Sequence, residues 1–165
     1  SLGEESTADD SFDPVEQGFV TTFLGGGGRL LVTGAEIGWD LDWLGNAGDR
    51  AFYRNVLGAT YIADDANTYV LQAGIPGTVS EGLPITSFDN GLFGTYDVNY
   101  ADVITPTTTA CSVCLRYSNG LVAGIQKIDP VTGARVVNFG FPAALRTTFV
   151  FFFTRLAMGI FLVST

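Results

Sequence analysis

The sequence predicts one α/β domain over residues 1–165, and three observations carry that expectation. Asp13-Pro14 opens a stretch of helical periodicity. Leu30-Leu31-Val32, between turn-forming residues, reads as a strand buried on both faces. Three β-rich segments near the end of the chain are separated by the turn sequences "SNG" and "DPVTG".

The first helix is predicted to start with Asp13 as N-cap and Pro14 at the first helical position, because Asp can accept from free backbone amides and Pro lacks one. Val15, Phe19, Val20, Phe23 and Leu24 follow at helical spacing, and Gly25–Gly28 stops the helix. Beyond the buried strand, "NAGDRAFYRNVLGATY" places Phe52, Tyr53, Val56 and Leu57 on one helical face, with Gly58 at the C-terminal stop. Thr60–Ala63 reads as a strand. Residues 68–108 read as an irregular β-rich insertion, where short pieces such as "TYVLQ" and "PITSF" alternate with Gly, Pro, Asn and Asp. "ACSVCLRY", "LVAGIQKI" and "ARVVNFGF" read as antiparallel strands, and Pro142 as the start of a buried terminal helix bearing Phe149, Phe153, Leu156, Met158 and Ile160.

Composition excludes several functions. With 47 % hydrophobic residues the chain can bury a sizeable core, and 8 basic against 17 acidic residues give a net charge of −9. That sign opposes binding to a phosphate backbone, so no nucleic-acid partner is expected. Histidine is absent, which removes a Ser/His/Asp or Cys/His/Glu triad confined to this chain. The apolar tail is interrupted by Thr154 and Arg155, whereas a membrane span needs roughly 20 mostly apolar residues. No membrane partner is expected.

The turn "GAEIG", Gly34–Gly38, follows the buried strand and precedes a helix-compatible stretch. Small residues there allow a sharp strand-to-helix elbow that exposes one side chain, Glu36. Together with "GEEST" (3–7), "GGGRLLVTGAEIGWDLD" (26–42), "DRAFYRNVLGATYIADDA" (49–66), "GTYDVNYADVI" (94–104) and "RVVNFGFP" (135–142), this order resembles class I glutamine amidotransferase-like domains. The nearest likeness is to those found toward the C-terminal ends of large secreted bacterial proteins, some described as xanthan lyases. The resemblance implies a flavodoxin-like three-layer sandwich, extracellular localisation, and a binding or structural module of a larger protein.

Two departures from the family pattern bear on function. Glu36 stands where active members carry a cysteine within G-x-C-x-G, so amidotransfer from glutamine is not expected. Two or three β/α units that would precede "GEEST" are lacking, so the domain reads as N-terminally truncated. The strand Arg29–Val32 would then have an open edge, which suggests pairing with a second copy of the chain through that edge.

Four sets of residues are candidates for chemistry. Glu36 could serve as nucleophile or base of a carboxylate-dependent hydrolase, with Glu4 and Glu5 as neighbours that raise its pKa; the alternative is a structural role at the turn. Asp40, Asp42, Asn46 and Asp49 approximate a calcium loop, to which Asp64, Asp65, Asp89, Asp97 and Asp102 add a diffuse acidic contribution. Calcium is the one ion suggested and no other cofactor is expected. Asp49 reads equally as an N-cap. Trp39, Trp43, Tyr96 and Tyr100 could stack on sugar rings, giving a third reading, a calcium-stabilised glycan-binding module. Cys111 and Cys114 have CxxC spacing, but in a strand they should point to opposite faces, and the glycine run lies on the wrong side of a strand for a phosphate loop.

Overall fold

The chain is described by a computed structural model that covers residues 11–92, 97–143 and 160–164. Helix α1 spans Pro14–Gly25. The Asp13 carboxylate accepts from the amides of Val15 and Glu16, and Glu16 returns a bond to the Asp13 amide, so the predicted cap is a full capping box. At its other end Gly27 adopts φ +85°, and a Cβ there would lie 3.0 Å from the Thr132 carbonyl oxygen. The helix buries less than its pattern suggests: Leu24 is buried and Val20 and Phe23 are partly so, while Val15 and Phe19 are 62 % and 71 % exposed.

The strands are β1 (Arg29–Thr33), β2 (Ala59–Ala63), β3 (Val70–Leu71), β4 (Thr86–Ser87), β5 (Val103–Pro106), β6 (Cys111–Arg116), β7 (Val122–Ile128), β8 (Arg135–Phe139) and β9 (Ile160–Ser164). The main sheet has the order β6-β7-β8-β1-β9. As the turn signals predict, β6, β7 and β8 are joined antiparallel, whereas β1 runs parallel to both β8 and β9. The mixed sheet follows from connection length, because tight turns can only make antiparallel pairs.

β1 is buried on both sides, and its alternation divides the core. Leu30 and Val32 pack with Val136, Ile125, Phe52, Tyr53 and Leu57 under the helical layer. Leu31 packs with Val137, Phe139, Leu115 and Tyr117 beneath the insertion, which contributes Leu71, Leu83, Phe88 and Val103. Three layers result: helical segments, sheet, and an irregular β-rich cover built partly from the small pairs β3-β4 and β2-β5. The second face is thus covered, among the described residues, by β-rich insertion rather than by helices.

Two expectations are corrected here. The terminal segment is a strand rather than a helix at Ile160–Ser164, residues 144–159 lying outside the described residues. β9 occupies the edge of β1 that was expected to be vacant, so β1 is an interior strand. An apolar run such as "GIFLVS" suits a buried parallel strand as well as a helix by periodicity alone, which is why the pattern misled. Cys111 and Cys114 are free, buried strand residues on opposite sides: Cys114 lies in the core beneath the insertion and Cys111 against Gly58 at the end of the helical layer.

Because β1 is covered on both faces, Leu30→Ala and Leu31→Ala should each lower stability by ~2–5 kcal/mol, read from urea unfolding midpoints. A near-neutral result for either would mean that one face of β1 is open.

Candidate acidic and aromatic site

β1 ends at Thr33, whose hydroxyl donates to the Phe141 carbonyl at 2.7 Å and accepts from the Ala143 amide. The chain then turns through Gly34–Glu36 and becomes helical from Ile37. This is the strand-to-helix elbow that "GAEIG" predicts, with Glu36 at its apex and the Asp40 amide donating to the Glu36 carbonyl at 2.8 Å. Gly38 is required by close approach. A Cβ there would lie 2.8 Å from the Tyr53 hydroxyl and 2.9 Å from Asp102 Oδ2.

Glu36 is half-buried, and its carboxylate makes no hydrogen bond with the described residues. Burial, followed by the charges of Asp64 and Asp40, raises its pKa from 4.5 to about 7. Asp64 follows β2 and is itself raised by burial and by Asp65. Asp102, just before β5, is fully buried. Its Oδ2 accepts from the Gly38 amide at 2.7 Å, its backbone carbonyl accepts from the Tyr117 hydroxyl at 2.8 Å, and a Cβ on Gly140 would collide with that same carbonyl. Burial and then the neighbouring Glu36 and Asp64 charges hold the Asp102 carboxyl well above the usual range, outweighing the Gly38 and Trp39 amides. Its acid form is favoured. Beneath the elbow Asn138, 1 % exposed, lies against the buried Tyr53 hydroxyl without a partner of hydrogen-bond geometry among the described residues.

The helical stretch beyond the elbow is a π-helical turn, Trp39–Leu44, in which Trp39 and Trp43 stack with ring centroids 6.1 Å apart and planes at 21°. Tyr61 of β2 completes a trio, 6.0 Å from Trp39 and 6.2 Å from Trp43. Trp43 is 60 % exposed, so the trio presents an accessible ring. Tyr61 also feels Asp64, Asp102 and Glu36, which with its burial raise its phenol pKa; the aromatic trio and the acids therefore share one end of the sheet.

The four residues of the proposed calcium loop are otherwise engaged. Asp40 accepts from the Ser11 amide. Asp42 is buried, pairs with Arg54 at 2.6 Å and accepts from the Tyr61 amide at 2.8 Å, which fixes Tyr61 beside the tryptophans. Asn46, rather than Asp49, is the N-cap of a short helix α2 (Ala47–Ala51), and Asp49 closes its capping box and accepts from Gln17. Asp40, Asn46 and Asp49 border a cleft of about 300 Å³ that Asp42 does not reach. Among the described residues no group of three or more acidic, Cys or His side chains is arranged to hold a metal.

Of the other predicted site residues, Tyr100 is 55 % exposed and is not part of the aromatic trio, while Glu4, Glu5 and Tyr96 lie outside the described residues. Sequence reasoning missed Tyr61 and Asn138 and gave Asp64 and Asp102 only a diffuse role. A usable signal existed in "YADVI" and "RVVNFGF", where a single polar residue interrupts an otherwise strand-like apolar run. No described helix is long and apolar enough to cross a membrane. Compared with family models and with curated proteins, the chain matches none.

A raised carboxyl pKa opposes folding once the unfolded group has ionised, so Glu36 makes the native state progressively less stable between pH 4.5 and about 7, with the loss complete above that window. Asp64 and Asp102 act in the same direction. Thermal melts of the parent protein should therefore fall from pH 5 to pH 8, and Glu36→Gln should fall less. Identical slopes would show that Glu36 titrates normally.

Proposed function

We propose that this domain binds carbohydrate at the end of the sheet where Trp39, Trp43 and Tyr61 adjoin Glu36 and Asp64. The observation that carries the reading is the aromatic trio beside half-buried carboxylates. Aromatic faces hold the apolar faces of sugar rings, and carboxylates accept bonds from ring hydroxyls, which is the pairing of contacts that a pyranose needs. Tyr61 is held by Asp42 and Arg54, so the trio is set before a ligand arrives.

The same geometry supports the wider interpretation of the chain as an amidotransferase-like module of a larger extracellular protein. In that interpretation the elbow persists while Glu36 stands in the thiol's place, and thiol chemistry is lost. Calcium has no part in the proposal, because Asp42 and Asp49 are committed to Arg54 and to a helix cap.

A second reading, hydrolysis, is favoured by one specific observation. A carboxyl that titrates near 7 is suited to donate a proton at neutral pH, and Asp64 supplies the second carboxylate that glycoside hydrolysis uses. Asp102, being fully buried, would act as a positioning residue through the Gly38 amide and its influence on Glu36.

Binding is tested by calorimetric titration with a panel of neutral and charged oligosaccharides. Trp43→Ala should weaken binding by about tenfold, equivalent to about 1.4 kcal/mol, with an unchanged melting temperature. Unaltered affinity in that variant would remove the aromatic platform. Release of reducing ends, abolished by Glu36→Gln with binding retained, would establish hydrolysis in addition.

A further inference from the structure

We infer that the ligand of this site carries a protonated amine, so that the preferred sugars are amino sugars in their free-amine form. The inference rests on the carbohydrate reading above and narrows it to a substrate class.

The first ground is a missing countercharge. Glu36, Asp40, Asp64 and Asp102 gather at one end of the sheet, yet none of the four is paired with Lys or Arg among the described residues. The contrast with Asp42 is informative: that buried carboxylate receives the Arg54 guanidinium at 2.6 Å and the Tyr61 amide. The chain neutralises one buried acid internally and leaves the neighbouring group open.

The second ground is independent of charge. Asp64, on the partly exposed side of the cluster, has in Oδ1 a buried acceptor with no partner among the described residues. Leaving such an atom unsatisfied costs its full desolvation with no bond in return. An ammonium group is all donor, with three N–H bonds and no acceptor, and so complements an unpartnered carboxyl acceptor more fully than a hydroxyl, which must also find a donor for its own oxygen.

The third ground is the wall of the site. Indole faces attract cations through their quadrupole, and Trp is the strongest of the aromatic residues in this respect. Trp39 and Trp43 stack on one another rather than enclosing a cage, which leaves the exposed Trp43 ring to take a sugar while the amine is directed to the acids. The net charge of −9 adds a field that attracts a cationic chain and repels a uronic-acid one.

The test compares four oligomers of equal length by calorimetry: glucosamine, N-acetylglucosamine, glucose and a uronic acid. The parent protein should bind the free-amine oligomer at least tenfold more tightly than the N-acetylated and neutral ones, and the uronic oligomer most weakly. Glu36→Gln and Asp64→Asn should each erase the preference, lowering the free-amine affinity by more than the neutral affinity, and Trp43→Ala should weaken the amine and neutral oligomers together. Melting curves confirm that each variant is folded. Equal affinity for free-amine and N-acetylated oligomers overturns the amine and leaves the carbohydrate reading standing. Failure to bind any of the four overturns the carbohydrate reading itself. Free-amine binding that survives Trp43→Ala and vanishes in high salt is general attraction to an acidic surface, and also overturns the inference.

Discussion

The two-sided burial of β1 is the constraint from which the rest of the molecule follows. With Leu30 and Val32 in one core and Leu31 in the other, and with β8 and β9 on its edges, this strand is buried from Leu30 to its end. Its chain can leave only at the end, through a turn tight enough to re-enter the helical layer. Gly38 makes that turn possible by letting Tyr53 and Asp102 approach where a side chain would stand. Glu36 is thereby presented at the carboxyl end of parallel strands, the place where open α/β sheets leave room for a ligand.

The polar groups at that end are expensive for the fold. Asp102 is enclosed completely, with one carboxylate oxygen satisfied by the Gly38 amide and the other unpartnered among the described residues. Asn138 is similarly enclosed against Tyr53. A chain selected only for stability would place apolar residues at both positions, since Val32 and Ile125, the strand partners of Asn138, lie in an otherwise apolar core. Concentrated polar burial of this kind is a common mark of a site, where local stability is given up for placement of charge. The aromatic trio beside it draws on a separate source of order, because Asp42 ties the π-helical turn to β2.

Much of this architecture was legible in the residues, and the limits are instructive. Asp13-Pro14 specified its helix, and "SNG" and "DPVTG" specified their hairpins, because local backbone chemistry decides those features. Glu36 and the two tryptophans could be singled out because they are close in sequence. Asp64, Asp102, Tyr61 and Asn138 could not be assembled in the same way: they come from β2 and the residue after it, from β8 and from the segment before β5, and only the topology brings them together. Periodicity found the buried side of Phe52–Leu57, where Phe52, Tyr53 and Leu57 are in the core and Gly58 is the left-handed stop, although the turn is π-helical. Val15 and Phe19 show that even a regular apolar stripe need not be buried. The terminal apolar run failed for a different reason, since nothing local distinguishes a buried strand from a buried helix over so few residues.

The two cysteines give the molecule a pair of internal reporters. Burial pushes the Cys114 thiol up to about 12, and thiolate rather than thiol is the reactive species, so alkylating agents meet an inert sulfur while the layers are closed. Cys114 is covered by the insertion and Cys111 lies at the border of the helical layer. Modification of each therefore records the opening of a different side of the sheet, and the ratio of the two rates measures whether the insertion and the helices part from it together or in turn.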